Sequence, residues 1–240
     1  MRFEWTRDAI RFRLDAAARV RFDEAIAAHI LPYLPENAHL CDAGCGLGLL
    51  SLALAPRCRA VTAVDESGAA LAVLEENAAR AGIENIRGMQ GNLFAMRPEM
   101  PYDAMVFCFF GHTRETLRAV RAQCAGRAIL IKRDHAERRF TLEHRPARRL
   151  NFQTACAELA ALQTPFLSET FPMEMGQPFR SLADAARFFA LFSEDGASQD
   201  LERIAERLVE TGEAEFPYYL PARRMLGMIV LDAGDIPDFV

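Results

Sequence analysis

The residues whose types and spacing suit chemistry cluster between positions 39 and 67. An apolar run over His39–Ala43 carries Asp42 at its end, and Gly44, Gly46 and Gly48 follow before an apolar segment opens at Leu49. Glycine lacks a Cβ, so glycines at alternate positions permit a tight turn and let a ligand approach the main chain closely. The helix start that follows presents unpaired N–H groups. A second apolar run ends at Asp65, roughly twenty residues beyond the turn, where a carboxylate can accept hydrogen bonds from both ribose hydroxyls of a nucleoside. The alternative role for Asp65 is to cap the helix that starts near Ser67.

The glycine spacing separates ligand classes. A dinucleotide fingerprint places glycines as G-x-G-x-x-G, which would need one at position 49, where this chain has Leu49. No G-x-x-x-x-G-K-[ST] phosphate loop is present either.

Further along, Asn92 offers a side-chain carbonyl to an amino donor, or serves as an ordinary turn residue. Cys108, Phe109 and Phe110 end another apolar run, and the packing of a buried thiol is the reading preferred for Cys108. His112 follows Gly111 and can take a proton from a hydroxyl, an amine or a carbon acid. The reading preferred for it is a histidine at a helix start or on the surface. His135 has a weaker version of the same claim, while His29 and His39 read as structural and His144 as exposed.

The elements that must position these residues alternate along the chain. Strands are expected at His39–Ala43, Ala60–Asp65, Ile86–Gly91, Tyr102–Phe109 and Arg127–Lys132, with helices near Leu49–Ala55, Ser67–Ala81 and Arg114–Cys124. Short apolar strands joined by helices predict a parallel sheet covered on both faces. Before them, Thr6–Ile30 reads as one amphipathic helix with Ile10, Leu14, Phe22, Ile26 and Ile30 on a stripe; Pro32 and Pro35 end it. After them, Asn151–Gln163, Ser181–Leu191 and Gln199–Thr211 look helical, and Phe166–Phe171, Phe216–Leu220 and Met225–Leu231 strand-like.

From Asp42 to Gly48, D-A-G-C-G-L-G resembles the first motif of class I methyltransferases dependent on S-adenosyl-L-methionine (SAM). AVDES at 63–67 resembles the second motif, GNL at 91–93 stands where the family often has Gly-Asp, and YDAMVFCFF at 102–110 resembles the fourth strand. The resemblance covers roughly Asn37 to Lys132. It implies a doubly wound, mostly parallel seven-stranded α/β sheet with helices on both faces, an N-terminal helix and a helical insertion near the C-terminus. It implies SAM as cofactor and S-adenosyl-L-homocysteine (SAH) as product. Asp42, Gly44, Cys45, Gly46, Asp65, Glu66, Asn92, Leu93 and Cys108 would hold the cofactor, with Asp42 near the methionine ammonium. His112 is the candidate general base, and no metal is expected. Asn92 departs from the family's aspartate, and the N/D-P-P-Y motif of enzymes that methylate base amines is absent.

The expected organisation is one domain: a helical lid over 1–36, in which Trp5 and Phe12 could stack on a ligand; a cofactor-binding core over 37–133; and an acceptor-side half over 134–240 with a helical cap near 176–212. Phe179, Phe188, Phe189 and Phe192 either line an acceptor pocket or form the cap's buried stripe.

With 240 residues, 51% hydrophobic and 25% charged, the chain has the balance of a globular domain. The N-terminal sequence lacks a secretory pattern, and no apolar run approaches membrane-spanning length. The cysteines form no paired CxxC units, so reduced thiols and a cytoplasmic location are expected. A net charge of −5 argues against a chain-wide nucleic-acid surface. Residues 132–149 are locally basic, yet Asp134, Glu137 and Glu143 interrupt them, and a solvated face is favoured over an RNA site. A small-molecule acceptor is therefore expected. RNA methylation, noncatalytic SAM binding and nicotinamide-dependent redox chemistry are the rivals.

Overall fold

A computed structural model describes residues 4–134, 151–192 and 200–238. These fall into two compact units, one holding the described residues up to Phe22 and from Pro172 to Met225, the other Asp23–Asp134, 151–171 and 226–238.

In chain order the first helices are α1 (Arg7–Val20) and α2 (Phe22–Ile30). The single helix expected over Thr6–Ile30 is thus broken. Arg21 takes a left-handed conformation (φ 55°) and its N–H closes the last turn on the Ala17 carbonyl, which ends α1. Thr6 caps the start, its hydroxyl accepting from the Ala9 N–H at 3.2 Å.

The second unit then builds β1 (His39–Ala43), α3 (Leu49–Leu54), β2 (Ala60–Asp65), α4 (Gly68–Ala81), β3 (Ile86–Gln90), β4 (Tyr102–Cys108), α5 (Thr113–Gln123), β5 (Cys124–Arg133) and α6 (Phe152–Ala161). Next come β6 (Leu167–Glu174), β7 (Gln177–Phe179), α7 (Leu182–Phe192), α8 (Leu201–Ala205), β8 (Val209–Glu210), β9 (Tyr218–Leu220) and β10 (Arg223–Asp232).

The main sheet has the order β3-β2-β1-β4-β5-β10-β6. β1 pairs in parallel with β2 (Leu40 beside Val61) and with β4 (Leu40 beside Ala104), β4 pairs in parallel with β5, and β10 runs antiparallel to β5 with Met228 beside Ile131. Strand order therefore reverses between β1 and β4. Right-handed crossovers then put the helices after β1 and β2 on one face and α5 on the other. Strands covered on both faces read as continuous apolar runs, and Leu40, Met105, Phe107, Ile129, Leu130 and Ile131 are all fully buried.

In the first unit a three-stranded sheet, β7-β9-β8, accompanies α1, α7 and α8. Phe12 packs edge-on against Phe179 (6.1 Å) and Phe188 (5.2 Å). Phe179, Phe188 and Phe189 are buried in the same cluster, so of the two roles expected for them they fill the buried stripe. The helix expected over Gln199–Thr211 ends at Ala205, because Val209 and Glu210 pair with Tyr219 and Tyr218 instead. His135, His144, most of the basic stretch and the side chain of Phe192 lie outside the described residues.

Candidate functional site

The glycine turn leaves the carboxyl end of β1 with Gly44, Gly46 and Gly48 all left-handed, at φ of 70°, 55° and 67°. Only glycine takes such angles without strain, so the alternate spacing is a backbone requirement. The Gly44 and Cys45 N–H groups donate to the Val64 carbonyl at 2.8 and 3.0 Å, tying the turn to β2. A Cβ on Gly48 would overlap Leu74 of α4, which accounts for the third glycine by packing.

Asp65, at the end of β2, joins the same turn. One carboxylate oxygen accepts from the Gly46 N–H at 2.9 Å and the other from the Ser67 N–H at 2.8 Å. The cap of α4 is Ser67, whose hydroxyl accepts from the Ala70 N–H at 3.2 Å. A carboxylate offers about four lone-pair sites, and these amides use one on each oxygen. The half-buried Asp65 side chain thus keeps acceptor capacity on both oxygens for a vicinal diol.

Asp42 lies deeper. It is 1% exposed, and the Ser51 hydroxyl donates to its Oδ2 at 2.5 Å. Burial, chiefly, pushes its carboxyl from 3.8 up to about 6; the negative charges of Asp23 and Asp65 act in the same direction and the Ser51 bond opposes them. Asp23, at the start of α2, is buried and joins this acidic surround, a contribution that sequence spacing did not signal. Burial also drives the Cys45 thiol strongly upward, with the Asp42 and Asp65 charges adding to it, so Cys45 is a neutral thiol.

At the end of β3, Asn92 accepts the Phe94 N–H at 3.0 Å and so caps the short turn over Leu93–Ala95. Leu93 is buried, and Glu66 is exposed with its carbonyl accepting from the Gln90 amide at 3.2 Å. At the end of β4, Cys108 is half-buried. The chain then makes a sharp corner with Phe109 (φ 57°) and Gly111 (φ 72°) both left-handed. The Phe110 ring lies against the Cα of Gly44, where a Cβ would overlap it. The same ring stacks on Phe94 at 5.5 Å with the planes 7° apart. His112 follows as the residue before α5, exposed and without a side-chain capping bond.

The turn, Asp42, Asp65, Asn92, Leu93, Cys108 and His112 thus belong to one unit and gather at the carboxyl ends of β1–β4, where open α/β sheets place their ligands. An adenosyl sulfonium fits this donor set: a half-buried carboxylate with spare lone pairs for sugar hydroxyls, an anionic surround for a cation, and bare main chain between them. Gly44 departs from the expectation that it bares an open approach, since an aromatic ring covers its Cα on one side. The contact of Phe110 with Gly44, and the parts taken by Ser51 and by Lys132, whose ammonium donates to the Phe110 and Gly111 carbonyls, escaped the sequence reading. Their partners are distant in the chain and follow no motif.

Residues 40–129 match the family described as a methyltransferase domain. Ribosomal RNA small subunit methyltransferase G of Alkalilimnicola ehrlichii is 36% identical over 109 residues, which is 43% of this chain and 48% of that protein. The chain therefore matches about half the length of that curated relative. Among solved structures, the YcgJ protein from Bacillus subtilis superposes with a TM-score of 0.55 at 16% identity, covering 87% of this chain and 98% of the other. Precorrin 8W decarboxylase from Methanobacterium thermoautotrophicum gives 0.50 at 19%, covering 87% and 88%. At these identities the likeness is one of fold.

Proposed function

We propose that this chain, whose residues 40–129 match a methyltransferase domain, is a SAM-dependent methyltransferase of the class I type acting on a small-molecule acceptor in the cytoplasm. The observation that carries the reading is Asp65: both its oxygens are aligned by the Gly46 and Ser67 amides at the carboxyl end of β2 while retaining capacity for a ribose.

When bound, SAM supplies a methyl group on a sulfonium with a neutral thioether as leaving group, so the protein's share is orientation and a shaped, water-poor site. Asp65 would grip the sugar. Gly46 and Cys45 would line the methionine side, and Asp42, with Asp23 behind it, would face its ammonium. Asn92 and Leu93 would border the adenine, with Glu66 at the rim. Cys108 would close the methyl-facing end. His112, exposed beside that end, would accept a proton from the acceptor.

A net charge of −5 and free thiols at all six cysteines support the small-molecule and cytoplasmic parts of this reading. Among the described residues no helix is long and apolar enough to cross a membrane. A ribosomal RNA acceptor is the second reading, favoured by the relative that carries that name.

Titration calorimetry with SAH tests the cofactor. Saturable binding that Asp65→Ala weakens is expected, and a wild-type chain that takes up no SAH ends the proposal. SAH release measured over a panel of small acceptors, against purified small ribosomal subunits, then decides the acceptor. Turnover on the subunits alone, with salt-dependent binding, transfers the reading to RNA.

A further inference from the structure

Lys132 is the only lysine in the chain. It stands near the end of β5, 6% exposed, among the core strands. A buried ammonium is costly unless its N–H groups find acceptors. Here they find two carbonyls of one corner: Nζ donates to Gly111 at 2.8 Å and to Phe110 at 3.3 Å. The Phe109 N–H donates to the Ile131 carbonyl at 2.9 Å, so β4 and β5 stay paired up to the corner itself. Beyond that bond the chain adopts left-handed angles at Phe109, a non-glycine residue, and at Gly111. Left-handed angles strain a residue with a Cβ, so something must hold the corner.

The corner has one consequence at the glycine turn. It lays the Phe110 ring on the Cα of Gly44 and stacks the same ring on Phe94. Thr116 and Phe94 close the opposite side, since a Cβ on Gly111 would come within 2.6 Å of the Thr116 hydroxyl and 3.3 Å of the Phe94 ring. Lys132 therefore touches nothing that would be transferred, yet it fixes the aromatic wall beside the turn. Burial lowers its proton affinity, with Glu158 on α6 and Cys108 acting in the opposite direction.

We propose that Lys132 is a positioning residue for methyl transfer: by clamping the Phe110 and Gly111 carbonyls it seats the Phe110 ring on Gly44 and so shapes the methionine-side wall of the cofactor site. The inference rests on the SAM-binding reading above.

The test uses the full chain and SAH. A glycine Hα directed at a ring face resonates upfield of the ordinary glycine range, so the Gly44 Hα reports the ring directly. Lys132→Met keeps the aliphatic stem without the donors. It is expected to move the Gly44 Hα back to the ordinary range and to weaken SAH binding at least fivefold in a protein that remains folded. Lys132→Arg, which retains charge and donors, recovers most of both. Phe110→Leu weakens SAH to the same degree, and Lys132→Met adds nothing in that background. An unchanged Gly44 resonance in Lys132→Met, or an SAH affinity within twofold of the wild type, overturns the proposal. If Lys132→Met does not fold, Lys132→Gln is read in its place by the same two measurements. A wild-type chain that fails to bind SAH instead overturns the methyltransferase reading, and the Gly44 resonance still reports the clamp separately.

Discussion

The Ser51 hydroxyl donates a 2.5 Å hydrogen bond to the Asp42 carboxylate, so the acid ahead of the glycines is bound to the first turn of α3 while its burial pushes its carboxyl up to about 6. The folded pKa lies above the ordinary 3.8, so between about pH 4 and 6 the native state holds more proton than the unfolded chain. Stability contributed by this group is therefore greatest at the acidic end, falls as pH rises through that window, and is level above it. Asp42→Asn keeps an acceptor for Ser51 and discards the buried charge. At pH 7 it should be more stable than the wild type, by up to about 3 kcal/mol for a carboxyl moved from 3.8 to about 6, with a flatter pH 4–6 profile. Its affinity for SAM should nevertheless fall, because the anion proposed to face the ammonium is lost. Urea unfolding at pH 4.5, 5.5 and 7 with SAM calorimetry checks this. A variant less stable at pH 7 with the wild-type pH profile would show that burial is not straining Asp42.

Asp65 and Ser67 are neighbours with separable roles. Asp65→Ala removes one acceptor for each of two amides, costing about 1–3 kcal/mol of stability. It also removes the proposed ribose grip, whose two charge-assisted bonds at about 1.5–3 kcal/mol each predict an SAH affinity at least 100-fold weaker. Ser67→Ala loses only the cap on Ala70, about 1 kcal/mol, and should leave SAH affinity within twofold. Equal losses of affinity in the two variants would reduce Asp65 to a structural tie.

How much of this was legible in the chain follows from the range of each interaction. The strands β1 and β2 were placed to the residue because both are buried on two faces and bounded by turn residues, and the glycine turn is a local backbone requirement. The start of α4 is local as well, although its cap is Ser67 and not the Asp65 weighed from the sequence. The break at Arg21 was not, because the apolar stripe runs through it and nothing in an arginine announces a left-handed angle. Lys132 reads as one basic residue at the edge of a basic stretch. Its partners, 22 and 21 residues earlier, meet it only through the β4–β5 pairing. Of the three-stranded sheet in the first unit only the strand near Phe216–Leu220 is expected from the sequence, because β7 reaches β9 from Gln177 to Leu220 and β8 is only two residues long.

Gly44→Ala tests the contact between the turn and the corner. The substitution imposes φ 70° on a residue with a Cβ and drives that Cβ into the Phe110 ring. A loss of about 2–4 kcal/mol is expected from strain and overpacking together. Phe110→Ala empties the space, so the double variant should be less destabilised than the sum of the singles by roughly 1 kcal/mol or more, with the conformational strain remaining. Strict additivity in chemical denaturation would mean that ring and glycine do not touch.

In the first unit the Arg11 guanidinium is bidentate on Asp184, at 2.6 and 3.2 Å, and Arg180 donates to Asp15 at 2.8 Å. Asp184 has a side-chain exposure of only 4%. Breaking a buried pair leaves a charge without compensation, whereas breaking an exposed one changes little. Arg11→Leu leaves Asp184 with Arg187 at 3.5 Å and the Arg180 N–H at 3.3 Å, and should lower the unfolding free energy by about 1–3 kcal/mol. Arg80→Leu removes a pair of similar length with Glu76, 2.7 Å, but on an open helix surface, and should cost no more than about 0.5 kcal/mol. Arg11→Leu/Asp184→Leu, which deletes both charges, should regain part of the Arg11→Leu loss. Thermal or urea unfolding of the four proteins decides it. If Arg11→Leu costs no more than Arg80→Leu, the pair is screened in solution and contributes no more than an exposed one.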